Sequence, residues 1–357
     1  MNSLIKNTVG IWLALVILTL PFPYYLIGLS SSISSDSELL YWASLFALLI
    51  ALIVSFLISK LKNKFKTDTI LRAFIAYSLS FFLLKYGIDK LLLQQFYTPK
   101  PNILFTPVGQ LSKDILFWTS MGTSKTYNWF MAVLEIIPGL LLLHSKTRKL
   151  GALIASGVLL NVFMINVGFD ISVKLLSFYL LTSSIYLIQP FTMKLIRLVV
   201  YKEGVQLNSE TPLLQPASMT KRILKSAVIC LFVLEISLPY INQPAQQNEL
   251  IGTFELESPS LLFGQRAKRF HIHSEDFFII ENTDGHFTDM KSSITGNYIH
   301  LLNKKSGFQI NQKGLLIEFI MIGKNNTKSI TTKRIDVNKT PLMQDDFHWT
   351  VEGMIGN

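Results

Sequence analysis

From Leu39 to Ser59 the chain carries no charged residue, and it then places lysine at 60, 62, 64 and 66. An uncharged apolar run of about 20 residues is long enough to cross a bilayer as a helix, and lysines directly behind it mark the cytoplasmic side. The pattern recurs along the chain. Lys146, Arg148 and Lys149 follow the run Trp129–Leu143, and Lys194, Arg197 and Lys202 follow Leu175–Ile188, whereas the linker from Ser30 to Glu38 has no basic residue. Further apolar runs cover 8–28, 70 onward, 150–169 and 223–240. With every basic loop inside, the N-terminus lies in the cytoplasm and about seven spans carry the chain out after Tyr240. Pro21 and Pro23 interrupt the first run and no A-x-A site follows, so a retained first helix is expected rather than a cleaved signal peptide.

The composition agrees. Half of the residues are hydrophobic, 16% are charged and mean hydropathy is +0.39, which is a membrane composition. The net charge of +10 points to membrane topology rather than nucleic acid, because much of the Lys and Arg sits in short loops beside apolar runs.

The stretch from Ile70 to Phe96 begins as a span and ends in Lys85, Asp89, Lys90, Gln94 and Gln95. Lys85 and Asp89 share a helix face and can pair. At about 1.5 Å per residue, Lys85 stands roughly 20 Å from Arg72, in the outer third of the apolar slab. Glu135 lies inside the next span, Asn161 and Asn166 lie in the outer half of the fifth, and Asp170 and Lys174 cap the turn that follows. Polar residues from consecutive spans thus share one level, and intramembrane ionisable groups usually face the bundle interior and mark a ligand or ion path. Glu135 is too deep to snorkel, so it either meets a cation such as Lys85 or is neutral. The plainer alternative is that these are helix-end pairs and interhelical glue. Pro99, Pro101 and Pro107 prevent a simple helix over 94–128, and Trp118, Tyr127 and Trp129 suit an interfacial belt. After Pro190, residues 191–201 read as a separate amphipathic interfacial helix.

From Gln243 the composition changes. Turn signals at 283–285, 305–307 and 324–326 separate strand-like runs at 254–256, 277–280 and 315–322. This is a small, mostly antiparallel all-β domain, expected outside the cytoplasm. The expected organisation is two N-terminal helices over 1–69, a four-helix core over 70–190, an amphipathic segment, linker and last span over 191–242, and the β-domain over 243–357.

Chemistry is bounded mainly by absences in the sequence. A single cysteine, Cys230, excludes a disulfide within the chain and a CxxC pair. Five of the six histidines fall in the β-domain; His271 and His273 alternate along an expected strand, but no acidic ligand stands at a fixed spacing from them, so no metal centre is expected. No GxGxxG, P-loop, HExxH or GxSxG motif is present.

One group of residues carries a family resemblance. Tyr86-Gly87-Ile88-Asp89-Lys90 followed by Gln95-Phe96, then Trp118, Met121-Gly122, Tyr127, Glu135, Thr147, Gly151, Asn161, Asn166, Asp170 and Val173-Lys174, together resemble the DoxX-like bacterial integral membrane proteins. The layout is similar to long members with a C-terminal β-domain that ends in Phe-His-Trp, here Phe347-His348-Trp349 followed by Glu352; the tail from Gly353 departs from that pattern. The resemblance covers roughly 70–190 and the last residues. It implies a four-helix core and an association with redox systems, the family being named for a subunit linked to thiosulfate:quinone oxidoreduction. No resident cofactor is evident, and a quinone entering from the lipid is the cofactor the resemblance suggests, with another subunit supplying further redox chemistry.

Three readings follow. The first is a redox-associated protein of the bacterial inner membrane, an oxidoreductase subunit if it is an enzyme, that binds a quinone or small anion in a polar pocket. That pocket comprises Lys85, Tyr86, Asp89, Lys90, Gln95, Trp118, Tyr127, Glu135, Asn161, Asn166, Asp170 and Lys174. The second is a non-enzymatic scaffold that presents the β-domain to a periplasmic protein or lipid. The third is a transporter, against which the lack of a visible inverted repeat counts.

Overall fold

A computed structural model describes residues 3–19, 36–60, 64–96, 98–199, 201, isolated helical positions between 219 and 233, 250–274, 276–302, 306–313, 316–322 and 327–344. The chain divides into two compact units. The first comprises Met1–Gln95 and Thr126–Gln243, the second Phe96–Lys125 and Pro244–Asn357.

The first unit is helical: α1 (Ser3–Thr19), α2 (Glu38–Ser59), α3 (Lys64–Leu91), α6 (Lys125–Leu143), α7 (Arg148–Gly168) and α8 (Lys174–Val199). Among the described residues, five segments are long and apolar enough to cross a membrane: Glu38–Ser59, Asp68–Leu91, Lys125–Leu143, Arg148–Gly168 and Lys174–Thr192. The chain is a membrane protein. Helix α1 is apolar but shorter, and it begins before the expected start at residue 8. The rest of the first run and most of the run 223–240 lie outside the described residues.

Pro190 does not end the sixth run. Helix α8 continues through it to Val199 as one helix, in place of the expected break and separate amphipathic helix. Proline removes one N–H and frees the carbonyl four residues earlier, which is tolerated where another donor reaches that carbonyl. Here Arg72 on α3 donates from Nη1 to the Tyr186 carbonyl at 2.7 Å.

Small residues set the distance between α3 and α6. A Cβ on Gly87 would come within 3.1 Å of the Ala132 carbonyl and 2.6 Å of the Ile136 side chain, and one on Gly139 would touch Leu84. Ser80 donates to the Gly139 carbonyl at 2.7 Å. Such close backbone approach is how membrane helices gain packing when no hydrophobic drive separates protein from lipid. The seam fixes which face of α3 looks at α6.

The second unit is a closed antiparallel barrel of eight strands in sequential order: β1 (Gly252–Leu262), β2 (Gln265–Ser274), β3 (Phe277–Asn282), β4 (Phe287–Thr295), β5 (Tyr298–Leu301), β6 (Gly307–Lys313), β7 (Leu316–Ile322) and β8 (Thr327–Ile335). The expected antiparallel β-domain is therefore present, and pairing of β1 with β8 removes both sheet edges. Side chains alternate across each strand. Phe254, Phe270, Phe278, Phe308 and Phe319 all point inward and are fully buried, with Phe270 within 5.1 to 5.8 Å of Phe278, Phe308 and Phe319. An eight-stranded barrel is just wide enough for side chains to fill, and these rings fill it.

Residues 96–125 belong with this barrel and not with the membrane core in which 70–190 was placed. They form the short helix α4 (Pro101–Leu104), a 3₁₀ turn at Val108–Gln110 and helix α5 (Lys113–Thr123). Pro101 opens α4 at a position where no N–H is needed. Phe96 packs on Phe117 and Trp118, with ring centroids 6.0 and 5.1 Å away.

Candidate functional site

Near the C-terminal end of α3, Lys90 is 4% exposed and Glu135 on α6 is 3% exposed. Lys90 Nζ donates to Glu135 Oε2 at 2.7 Å and to Gln95 Oε1 at 2.8 Å. The Tyr86 ring lies beneath, its centroid 5.8 Å from Lys90 Nζ and 5.3 Å from Lys85 Nζ, within cation–π range. Lys85 pairs with Asp89 at 2.8 Å, and both side chains keep about a fifth of their exposure.

Glu135 thus meets a cation, but it is Lys90 and not the expected Lys85. The step of five positions from one lysine to the other rotates them about 140° apart on the helix. The Gly87–Gly139 seam turns Lys90 toward α6 and leaves Lys85 to the partner one turn along.

The other expected pocket residues separate into different surroundings. Asn166 is buried and donates to the Val173 carbonyl at 3.5 Å, holding the turn between α7 and α8. Asp170, at positive φ and largely exposed, pairs with Lys174 at 2.7 Å as the spacing suggested. Asp36 was not anticipated in this group. Its carboxylate accepts from the backbone N–H groups of Lys174 and Leu175, each at 3.0 Å, and so caps α8. Asn161 and Tyr127 are exposed on α7 and α6, whereas Lys90 and Glu135 are buried. Trp118 belongs to the second unit.

A second polar centre in the helical unit joins α1, α3 and α8. Arg72 is 1% exposed, donates from Nε to both Asp68 oxygens at 3.1 Å, and stacks on Tyr186 at 4.4 Å. Lys6 reaches Asp68 at 3.1 Å, and the Tyr186 hydroxyl donates to the same carboxylate at 3.2 Å. The sequence held a signal for part of this: Asp68 and Arg72 are four apart, and Pro190 announces a carbonyl at Tyr186 in need of a donor.

The barrel carries its own ionic cluster on the outer face of β1, β2 and β3. Glu255, Arg269 and Glu281 stand side by side across the three strands, and Thr253 stands opposite His271. Arg269 donates to Glu255 at 3.0 Å and to both Glu281 oxygens at 2.9 and 3.2 Å. His271 is fully buried, with Nε2 3.2 Å from Glu281 Oε2 and Nδ1 3.0 Å from Thr253 Oγ1. Burial pushes the His271 pKa below its ordinary value, against the pull of Glu281. Burial works to raise Glu281, but the His271 hydrogen bond and the Arg269 charge outweigh it and hold that carboxyl below the usual range. The neutral imidazole therefore donates from Nε2 to Glu281 and accepts the Thr253 hydroxyl at Nδ1. Among the described residues no three of the His, Cys, Asp and Glu side chains converge as metal ligands would.

The chain is 33% identical over 117 residues to the uncharacterized protein YwoB of Bacillus subtilis (strain 168), a match spanning 33% of this chain and 71% of that protein. No family model matches the chain. No solved structure matches it.

Proposed function

We propose that this chain, which belongs to the same family as YwoB of Bacillus subtilis, is a DoxX-like, redox-associated protein of the bacterial inner membrane that binds a quinone or small anion at Lys90 and Glu135, a reading supported by the buried pair rather than by that kinship. One observation carries the reading: a lysine and a glutamate, each almost without solvent exposure, facing each other between membrane helices. Removing two charges from water costs several kcal/mol per ion, on the order of what their attraction returns, so an apolar pair would hold α3 to α6 at least as well. Ionisable groups kept at such a position are a functional-site hypothesis by default.

In this reading the Lys90 ammonium donates to an oxygen of the ligand, Gln95 keeps it in place, and Glu135 hands over or receives a proton. Electrons come from a partner redox subunit. The N-terminus is cytoplasmic and the barrel extracytoplasmic, as the basic loops suggest.

The test is mass spectrometry of small molecules extracted from the intact protein in mild detergent, together with its absorption spectrum. Stoichiometric quinone in the wild type, lost in Glu135→Gln and Lys90→Met proteins that elute as folded species, is the expected result. A wild type that carries lipid alone removes the quinone reading.

A second reading, that of a scaffold, draws on the barrel. Five buried phenylalanines fill its interior, so a partner would bind its outer surface or ends. Deletion of 250–357 would then abolish the cellular phenotype while Glu135→Gln is silent.

A further inference from the structure

On an exposed barrel strand, outward side chains normally meet water, yet His271 is fully buried on the outer face of β2. Its cover comes from two directions. Phe105, just after α4, lies 5.7 Å from the imidazole and 4.5 Å from the Arg269 guanidinium, and Phe287 at the start of β4 lies 5.9 Å from the imidazole. Helix α4 packs against β1 and β2, and the Gln110 side-chain amide approaches Gly285 in the β3–β4 turn. Residues 98–110 thus lie over a cluster made of Glu255, Arg269, His271 and Glu281, with one aromatic ring set on its two nitrogen bases.

We propose that residues 98–110 form a pH-sensitive strap on the barrel, seated by Phe105 on Arg269 and His271, which lifts when His271 takes a proton from solvent.

The groups facing His271 define the sign. From β1 come Thr253 and, through Arg269, Glu255; from β3 comes Glu281; on its own strand stand Arg269 and Lys268, the latter 3.9 Å from Glu281. From β4 come Phe287 and, in the same cross-strand row beyond Ile279, Asp289. From the strap comes the apolar ring of Phe105. Glu281 is already engaged by both Arg269 and His271, so a second positive charge gains no new carboxylate while the ring above denies it water. Rehydrating the imidazolium requires Phe105 to leave. Proton uptake and strap release are therefore linked: each favours the other, and acid favours the open form.

The experiment is hydrogen–deuterium exchange on the full chain in detergent, corrected for intrinsic rates, between about pH 8 and about pH 5.5, a range that brackets the ordinary histidine value of about 6.5. Amides within 98–110 are expected to exchange about tenfold faster at the acid end, an increase well beyond that of the inward-facing barrel core. In His271→Gln, which keeps a neutral donor for Glu281, that response is expected to vanish. The same acid response in His271→Gln, or none in the wild type, overturns the proposal. Phe105→Ala supplies an independent arm that leaves the cluster intact. Exchange at the imidazole C2–H, followed by mass spectrometry, reads the titration of His271 directly, and its midpoint is expected to move up toward the ordinary value once the ring is gone. An unmoved midpoint overturns the proposal.

Discussion

The two units hide ionic groups in opposite places. In the helical unit the charges lie inside, with Lys90 and Glu135 facing each other across a glycine-tightened seam while the outward faces of α2, α6 and α7 are apolar. In the barrel the inside is a packed set of phenylalanines, and the charges lie outside under Phe105. The difference follows from the solvent each surface meets. A helix whose exterior is lipid-compatible can put polar groups only toward its neighbours. A barrel in water keeps its interior dry and must add a separate cover if an outer polar cluster is to be buried. A pair within the bundle is thus locked by tertiary packing, whereas a cluster on the barrel can be uncovered without opening the core.

The sharpest way to break that contrast is to attack each interior. Phe278→Ala, at the centre of the barrel's aromatic set, is expected to destabilise the second unit by about 3–5 kcal/mol, read by chemical denaturation of the full chain with exchange protection reported for each unit. In the helical unit, Lys90→Met alone leaves Glu135 buried without its partner and should destabilise by about 3–5 kcal/mol. The double change Lys90→Met with Glu135→Leu should be close to wild type or more stable, read as a double-mutant cycle in detergent. A double variant as unstable as the singles would mean that the pair is the main tie between α3 and α6.

The pH dependence of stability sharpens the contrast further. His271 is held below its ordinary value by burial, so the unfolded chain binds that proton first. The associated stability is complete above about pH 6.5 and is lost as pH falls below it. Glu281, also held below its ordinary value, contributes stability that is lost on further acidification through the carboxylate range. Acid should therefore weaken the barrel in two steps, and His271→Gln should remove the first. The smallest effect is expected at Asp170→Asn. That residue forms an exposed pair with Lys174, so thermal stability should change by about 0–1 kcal/mol.

How much of this was legible depended on distance along the chain. The apolar runs set α2, α6 and α7 to within a few residues, and the four-residue spacings named the Lys85–Asp89 and Asp170–Lys174 pairs correctly. Those features are local: hydropathy over one helix length, or two side chains one turn apart. Position within an apolar helix was also readable, which is why Glu135 stood out. The partner of Glu135 was not readable, because depth gives height on the axis and not rotation about it. Gly87 and Gly139 supply the rotation only once α3 and α6 are in contact.

The same divide holds elsewhere. Pro190 reads as a stop in sequence, yet α8 continues past it, and the Arg72 side chain from α3 meets the carbonyl that the proline frees. Strand-like runs and turns indicate an antiparallel β-domain, but the closing of β1 on β8 joins residues far apart in the chain. The row Glu255–Arg269–Glu281 depends on the register of three strands, and the burial of His271 depends on Phe105, more than a hundred residues earlier. By itself the sequence determined that this is a chain of membrane helices followed by a β-domain, because burial of apolar surface is written in composition and period. Which charges face each other was decided by the tertiary structure, because a side chain's partner is set by the rotation and register of elements that meet only on folding.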